Sequence, residues 1–358
     1  MKIVYAKNKG VKCVSAVIKI TVAVIFSLML IKYPSLTAQG AREGLCVCAE
    51  SVIPTLFPMT VLCTFLAVSG ISEALGRFMH PFMKKVFKLP GSASSAVIMG
   101  MVGGYPTGIK MTGQLYRENS ISQNDANRMC LFCLSAGPAF LIGTVGTVMM
   151  SDVRIGRVLF LSSCLSTLTV GFLLRFTANE EDIPTKLPSF RPITSSLCEA
   201  VTTAGGAMLS VSAWIILFSC ICKTLTELPD GIRLPLCSVL EVTNGTKAAI
   251  EAGISIPVIS AILSFAGLSV HCQVWSCIEE CDVKASHFIV SRIVSGALSA
   301  LYCKAILHFF PIEQSTLMAR EGLFVHSFSV SAPVSAAMLL TAGVFIINTS
   351  GKTNDFIT

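Results

Sequence analysis

The sequence has few charged residues for its length. Only 13% of its 358 residues are charged, whereas 53% are hydrophobic and the mean hydropathy is +0.73. Soluble domains carry about 25% charged residues, so this chain has too few charges to cover a surface that faces water. The scarcity of charge excludes an ordinary soluble protein and predicts an all-α polytopic membrane protein.

Motifs for catalysis and for nucleotide or metal binding are also lacking. The sequence has no Walker phosphate loop, no Ser-His-Asp or paired-carboxylate arrangement, and no aromatic-interleaved basic patch. Its 15 cysteines are scattered without the paired CxxC spacing of a zinc site. We therefore expect no enzyme, no metal, no bound cofactor and no nucleic-acid partner. The excess of 27 Lys+Arg over 20 Asp+Glu is then attributed to membrane orientation and to contact with the lipid bilayer.

What the sequence does contain is a doubled pattern of interrupted apolar segments. The first interruption is Gly103–Lys110 (GGYPTGIK) and the second is Glu241–Lys247 (EVTNGTK), and both end in Gly-x-Lys. A second interrupted helix follows each of them, at 135–138 and at 265–273. Non-helical backbone is tolerated at membrane depth where it lines a cavity. Paired interruptions in two halves of a chain therefore predict the binding site of a transporter.

The order of these segments divides the chain into five parts. We predict an N-terminal transmembrane helix in 1–37, a first repeat in 38–176, a polar proline-rich linker in 177–194, a second repeat in 195–309, and a connector with a last transmembrane helix in 310–358.

Each repeat opens with an apolar stretch that we predict to be a re-entrant hairpin. Pro54 and Pro58 interrupt the first stretch, 38–70, because a proline lacks the N–H group and clashes with the preceding turn. A single kinked helix is the alternative, since membrane helices tolerate prolines. Two adjacent glycines take the same place in the second stretch, 195–226. Between the first hairpin and the first interruption, the basic amphipathic pattern of 71–90 predicts a helix that lies in the membrane interface.

The interruptions carry groups that suit a polar organic solute. A helix that ends inside the membrane leaves backbone N–H groups free at its start and C=O groups free at its end. Hydroxyl and amide side chains beside such ends add further donors and acceptors. The candidate solute-binding residues are Thr107, Lys110, Ser135, Gly137, Glu241, Thr243, Asn244, Ser269, His271 and Gln273.

The ionisable residues at the interruptions admit more than one interpretation each. Glu241 is the first choice for a site carboxylate that binds a proton, a cation or the solute, and its alternative is an aqueous helix end. Lys110 and Lys247 either pair with Glu241 or attract an anion, or they extend outward to the interface. His271 is either a proton carrier or a neutral histidine that holds a backbone carbonyl. We also expect the Thr107 hydroxyl to cap a half-helix. Coupling to Na⁺ or H⁺ stays open.

Five stretches of the sequence resemble the sporulation integral membrane protein YlbJ family. They are 52–58, 104–110, 131–146, 240–245 and 263–273. That family is similar to proteins with the nucleoside-recognition gate domain and to concentrative nucleoside transporters. The resemblance implies two inverted gate repeats with re-entrant hairpins and broken helices, in a bacterial inner membrane or forespore membrane. Ala266 departs from the pattern, because a second glycine is expected before Gly267.

The sequence thus predicts a secondary transporter or permease, linked to sporulation, that moves a small polar solute by alternating access. A nucleoside-like solute is one option, but a fold resemblance does not identify a ligand. The expected partners are the lipid bilayer, the solute, and a second copy of the chain or other sporulation membrane proteins. The alternatives are a non-transporting membrane scaffold needed for the endospore cortex or coat, and a channel-like conduit.

Overall fold

The computed structural model describes residues 20–179, apart from 22 and 25, and residues 190–312. All regular secondary structure in these ranges is helical. Three predicted segments fall partly outside the described residues: the beginning of the N-terminal helix, the centre of the linker, and the C-terminal part from 313 onward.

The described part of the first half contains eight labelled helices, preceded by helical residues up to 32. They are α1 (Pro34–Val47), α2 (Ile53–Val68), α3 (Ile71–Phe87), α4 (Ala93–Val102), α5 (Thr107–Arg117), α6 (Gln123–Phe132), the π-helical α7 (Ala139–Met149) and α8 (Val153–Leu174), with a π-helical turn at Cys48–Val52 between α1 and α2.

The described part of the second half repeats this order with six helices. They are α9 (Ile193–Thr224), α10 (Asp230–Leu240), α11 (Val242–Glu251), α12 (Ile256–Phe265), α13 (Gly267–Glu280) and α14 (Ala285–Phe309). Each half therefore has one long helix, two pairs of half-helices and a closing span. The amphipathic α3 has no counterpart in the second half; its Phe78 side chain is 79% exposed.

Five segments of the described chain are long and apolar enough to cross a bilayer, which confirms the prediction of an all-α polytopic chain. They are Pro34–Val68, Val153–Thr177, Ile193–Glu227, Ile256–Trp275 and Ala285–Phe309.

The prediction of two re-entrant hairpins is wrong, because both stretches are continuous helices. In 38–70 a π-helical turn changes the hydrogen-bond register, with the Ile53 N–H bonded to the Cys48 carbonyl. The Thr55 hydroxyl then donates to the Ser51 carbonyl at 2.6 Å, beside Pro54. The hydroxyl adds a side-chain hydrogen bond next to Pro54, and membrane helices tolerate prolines where such side chains and local π-helical adjustments serve the backbone.

The Gly205-Gly206 pair of the second stretch lies inside α9, a helix of 32 residues. At 1.5 Å per residue this helix is about 48 Å long, more than the ~30 Å of a hydrocarbon core. Breaking it at the glycines would expose unpaired backbone groups to lipid. The helix therefore continues through them although glycine is a poor helix former.

Helices α1 and α9 pack against each other through small residues. A Cβ atom on Gly40 would lie 2.7 Å from the Ser219 carbonyl oxygen, and one on Gly44 would lie 3.0 Å from Ile216 Cα. This small-xxx-small spacing allows helix backbones to approach closely in a membrane. A second interface joins α8 of the first half to α12 and α14 of the second, through hydrogen bonds between serine side chains such as Ser162 and Ser260.

Candidate functional site

A small cavity lies where the interruptions of both halves meet. Its volume is about 30 Å³. The lining residues come from both halves of the chain: Val52, Leu56, Gly104, Tyr105, Gly137, Phe140, Val211, Ile215, Glu241, Val242, Thr243, Val270 and Gln273. We refer to it as the interruption cavity.

The first half contributes two interruptions that touch backbone to backbone. Gly104 has φ +72° and Gly137 follows the end of α6. A Cβ atom on Gly104 would lie 2.8 Å from the Gly137 nitrogen, and one on Gly137 would lie 2.9 Å from the Val102 carbonyl oxygen. Only glycine allows both this positive φ at Gly104 and this approach. The contact brings α4–α5 and α6–α7 to the same wall of the cavity.

The second half builds the opposite wall around Glu241. This residue separates α10 from α11 with extended backbone (φ −144°, ψ 121°), and its carboxyl oxygens accept hydrogen bonds from the Thr243 N–H at 3.0 Å and the Asn244 N–H at 2.6 Å. Glu241 is therefore the N-cap of α11, and it is only 1% exposed. Gly267 packs against the backbone of Glu241 and Val242. A Cβ atom on Gly267 would lie only 3.0 Å from the Val242 nitrogen.

Side chains from the opposite half serve the carbonyl groups at the two remaining helix ends. Arg292 of α14 donates to the Leu134 and Leu131 carbonyls, at the end of α6. Tyr105, in the first interruption, donates its hydroxyl to the Leu263 carbonyl near the end of α12. Each half therefore completes hydrogen bonds that the other half leaves open.

A comparison with protein families and with curated proteins agrees with this architecture. A family model described as Gate: nucleoside recognition matches residues 49–178. The first half carries a Gate domain. The chain is also 29% identical, over 318 residues, to the sporulation integral membrane protein YlbJ of Bacillus subtilis (strain 168), which covers 76% of this chain and 78% of that protein. No solved structure matches the chain.

These findings confirm the resemblance to the sporulation integral membrane protein YlbJ family that the sequence motifs indicate. Together with the five apolar helices, they also identify the chain as a multi-pass membrane protein. The likeness to concentrative nucleoside transporters stays a prediction, as do the domain boundaries.

Four of the ten predicted site residues line the interruption cavity. They are Gly137 of the Gate domain and Glu241, Thr243 and Gln273 of the second half. Gln273 makes no side-chain hydrogen bond in the described part of the chain, so its amide is available to a solute. Thr243 is buried and donates its N–H to the Glu241 cap.

Three other predicted residues bond to protein groups away from the cavity. The Asn244 amide donates to the Ser219 hydroxyl of α9 at 2.8 Å. Ser135 lies 3.0 Å from the Ser163 hydroxyl of α8. His271 is buried, and its Nε2 lies 2.9 Å from the Phe265 carbonyl oxygen. The structural interpretation of this histidine, as the holder of a backbone carbonyl, therefore matches the geometry.

The Thr107 prediction is wrong in its chemistry. Thr107 is the first residue of α5, and its hydroxyl donates to the Gly103 carbonyl at 3.3 Å instead of accepting from a backbone N–H. It therefore joins the two half-helices across the interruption. Ser269 is fully buried without a hydrogen-bond partner in the described chain and does not line the cavity.

The two lysines do not pair with Glu241, which is occupied by backbone N–H groups. Lys247 is 56% exposed and lies 4.0 Å from Glu251, on the same helix. Lys110 is half-buried and forms no ion pair with a described carboxylate. Of the alternatives for these lysines, pairing with Glu241 is wrong, because the Glu241 carboxyl accepts the Thr243 and Asn244 N–H groups and forms no ion pair with either lysine.

Sequence reasoning missed two groups that shape the site. One is an apolar wall of the cavity, formed by Val52 of the π-helical turn, Leu56 of α2, and Val211 and Ile215 of α9. No sequence signal marks these four residues, because they do not differ from the other apolar residues of membrane-spanning helices. Arg292 did have a signal: it is a charged residue inside an apolar span, and such a charge indicates a functional or structural partner.

A larger cavity, of about 190 Å³, lies elsewhere in the described chain. It is bounded by α2, α3, α4, α5 and the start of α9, and its acidic residues include Glu73, Glu118 and Glu199. Glu199 forms an ion pair of 2.9 Å with Arg191, and both side chains are about half exposed. Neither interruption reaches this cavity, so we favour the smaller one as the candidate site.

Proposed function

We propose that this chain is a secondary transporter that moves a small polar solute by alternating access and serves endospore formation. The observation that supports the proposal best is a cavity lined by interruption residues of both halves, because transporters bind their solutes at such repeat interfaces. The sporulation role rests on the similarity to YlbJ, and the proposal assigns the chain no catalytic activity.

The solute class that fits best is neutral and nucleoside-like. The Gln273 amide offers both donors and an acceptor, and the matching family model carries the description nucleoside recognition. The cavity of about 30 Å³ has room for roughly one water molecule. We infer that the cavity of the described conformation is too small to hold such a solute and that α2 and α9 separate from the interruptions to admit it. A proton or Na⁺ that couples transport would meet the Glu241 carboxyl.

Ligand binding to the purified full-length protein tests the proposal. Nucleosides, nucleobases and small anions would be screened for a rise in Tm, since a solute at 100 times its Kd stabilises a protein by about 2.7 kcal/mol. We expect one solute class to stabilise the wild type and Gln114→Leu, but not Gln273→Leu. Gln114 is the matched control because it lines the larger cavity. If the solute stabilised Gln273→Leu but not Gln114→Leu, the result would contradict the assignment of the interruption cavity as the binding site.

A membrane scaffold is the second candidate, and one observation favours it. The cavity is small, and the chain's own side chains already bond the helix ends around it. A scaffold would keep this fold for its shape. In a spore-forming host that lacks its own copy of this gene, a scaffold predicts that Gln273→Leu supports spore formation fully, whereas a transporter predicts a loss. Removal of the exposed aromatic face of α3, by Phe78→Ser, would distinguish partner recruitment from transport.

A further inference from the structure

We propose that Arg292 is a tethered cation that fills a cation site built by the carbonyl groups at the end of α6. The site is part of the Gate domain, whereas the cation belongs to α14 of the second half. The proposal does not depend on whether the chain transports a solute.

The geometry that carries the proposal is a buried guanidinium whose hydrogen bonds in the described chain all go to carbonyl oxygens. Arg292 is 1% exposed, and it donates to the Leu134 carbonyl at 2.6 Å and to the Leu131 carbonyl at 2.5 Å. No ion pair found within residues 20–179 and 190–312 includes this arginine. Its Nε has no hydrogen-bond partner there either.

The carbonyl groups at a helix end attract positive charge. The last four C=O groups of a helix have no partner within it, and the helix dipole places a partial negative charge of about half an electron there. Half-helix ends in membrane proteins coordinate Na⁺ or protonated groups for this reason. At the end of α6 the guanidinium occupies that position permanently, because a covalent side chain cannot dissociate.

The carbonyl end of α12, the corresponding helix of the second half, has no charged partner in the described chain. The buried charge at the end of α6 is therefore specific to the first half. The Leu263 and Phe265 carbonyls near the end of α12 receive the Tyr105 hydroxyl and the His271 Nε2. Neither is a fixed charge in the way that a guanidinium is. The carbonyl end of α6 therefore needs no free coupling cation, and any cation dependence of the protein has to arise elsewhere.

Chemical rescue of Arg292→Ala in the full-length protein tests this proposal. The substitution would lower Tm, and guanidinium at a few millimolar, far below its denaturing range, would restore roughly 2–4 °C. Urea at the same concentration is the probe control, since it has a similar planar shape without the charge. Phe288→Ala is the protein control: Phe288 is fully buried one turn away on α14, and its ring packs 5.8 Å from the Arg292 guanidinium carbon.

Rescue of Arg292→Ala by guanidinium alone, with no response of Phe288→Ala, would support a cation site. Equal responses to guanidinium and urea, or equal responses of the two variants, would overturn the proposal. If Arg292→Ala does not fold, Arg292→Lys and Arg292→Met decide the question. A tethered cation predicts that lysine keeps a higher Tm than methionine, and the reverse order would overturn it.

Discussion

At the scale of single residues, Glu241 combines a structural and a candidate functional role. Its carboxyl group caps α11 through two backbone N–H groups and also lines the interruption cavity. A buried acidic residue at membrane depth is costly unless it is hydrogen-bonded. The two hydrogen bonds to the start of α11 supply that compensation, and the positive end of the helix dipole adds to it.

The cap predicts a graded loss of stability. Glu241→Ala should lower the free energy of unfolding by about 0.5–2 kcal/mol, the range for loss of an N-cap. Glu241→Gln should lose less, because its amide oxygen still accepts one of the two hydrogen bonds. Thermal unfolding in detergent measures the difference. Equal stability of the alanine variant and the wild type would mean that the cap contributes nothing to the fold.

The sequence predicts part of the site at this scale. Gly137, Glu241, Thr243 and Gln273 were found because helix breakers and polar residues are rare in apolar segments. Asn244 was placed in the site with Thr243, yet successive residues on a helix differ by about 100° in direction, so its side chain reaches α9 instead. Side-chain direction depends on where each half-helix begins, which the sequence does not specify to one residue.

At the scale of elements, two glycines allow the half-helices to cross. A Cβ atom on Gly108 of α5 would lie 2.5 Å from Gly100 Cα of α4, and one on Gly245 of α11 would lie 2.3 Å from Ser238 Cα of α10. These are the glycines of the two Gly-x-Lys motifs, and they hold equivalent crossings in the two halves. The glycine of this motif therefore reports backbone contact between half-helices.

Substitution by alanine should separate these crossings from ordinary glycines. Gly108→Ala and Gly245→Ala should each destabilise by about 1–3 kcal/mol, as overpacking does. Gly205→Ala and Gly206→Ala are the controls, because no atom lies within 4 Å of a Cβ there; they should be neutral or stabilise α9 by up to about 1 kcal/mol. Urea or thermal unfolding provides the comparison. Similar effects at all four positions would contradict the crossing geometry.

The element order was predictable and the hairpins were not. Interruptions that contain glycine, proline and polar residues leave a strong pattern in an apolar chain, so their positions and their repetition follow from the sequence. Pro54, Pro58 and the Gly205-Gly206 pair leave a similar pattern, but there the backbone stays helical. At the prolines the helix continues through a π-helical turn that changes the hydrogen-bond register, and composition alone does not reveal such a turn.

At the scale of the whole molecule, a layer of serines joins the two halves. Ser260 of α12 lies 3.1 Å from the Ser162 hydroxyl of α8 and 2.8 Å from the Ser299 hydroxyl of α14. Serine side chains hold membrane helices together by such hydrogen bonds. We expect this layer to stay fixed while the wall formed by α2 and α9 moves.

A double-mutant cycle with Ser162→Ala and Ser260→Ala measures the contact between the halves. We expect an interaction energy of about 0.6 kcal/mol, the average for hydrogen bonds between membrane helices, with roughly 1.7 kcal/mol as the upper limit. Thr202→Val replaces Ser162→Ala in the control cycle, since the Thr202 hydroxyl bonds only within α9. An interaction energy equal to that of the control cycle would mean that the contact between Ser162 and Ser260 does not stabilise the interface between the halves.

Solute uptake by the protein in liposomes tests the transport claim most directly. The stabilising solute would be supplied at increasing concentration to wild type, Gln273→Leu and Gln114→Leu in matched amounts of correctly inserted protein. We expect saturable uptake by the wild type and by Gln114→Leu, and a loss of roughly three- to tenfold in Gln273→Leu, the effect of one neutral hydrogen bond. No uptake by the wild type, uptake that does not saturate, or equal rates in all three proteins would contradict the account.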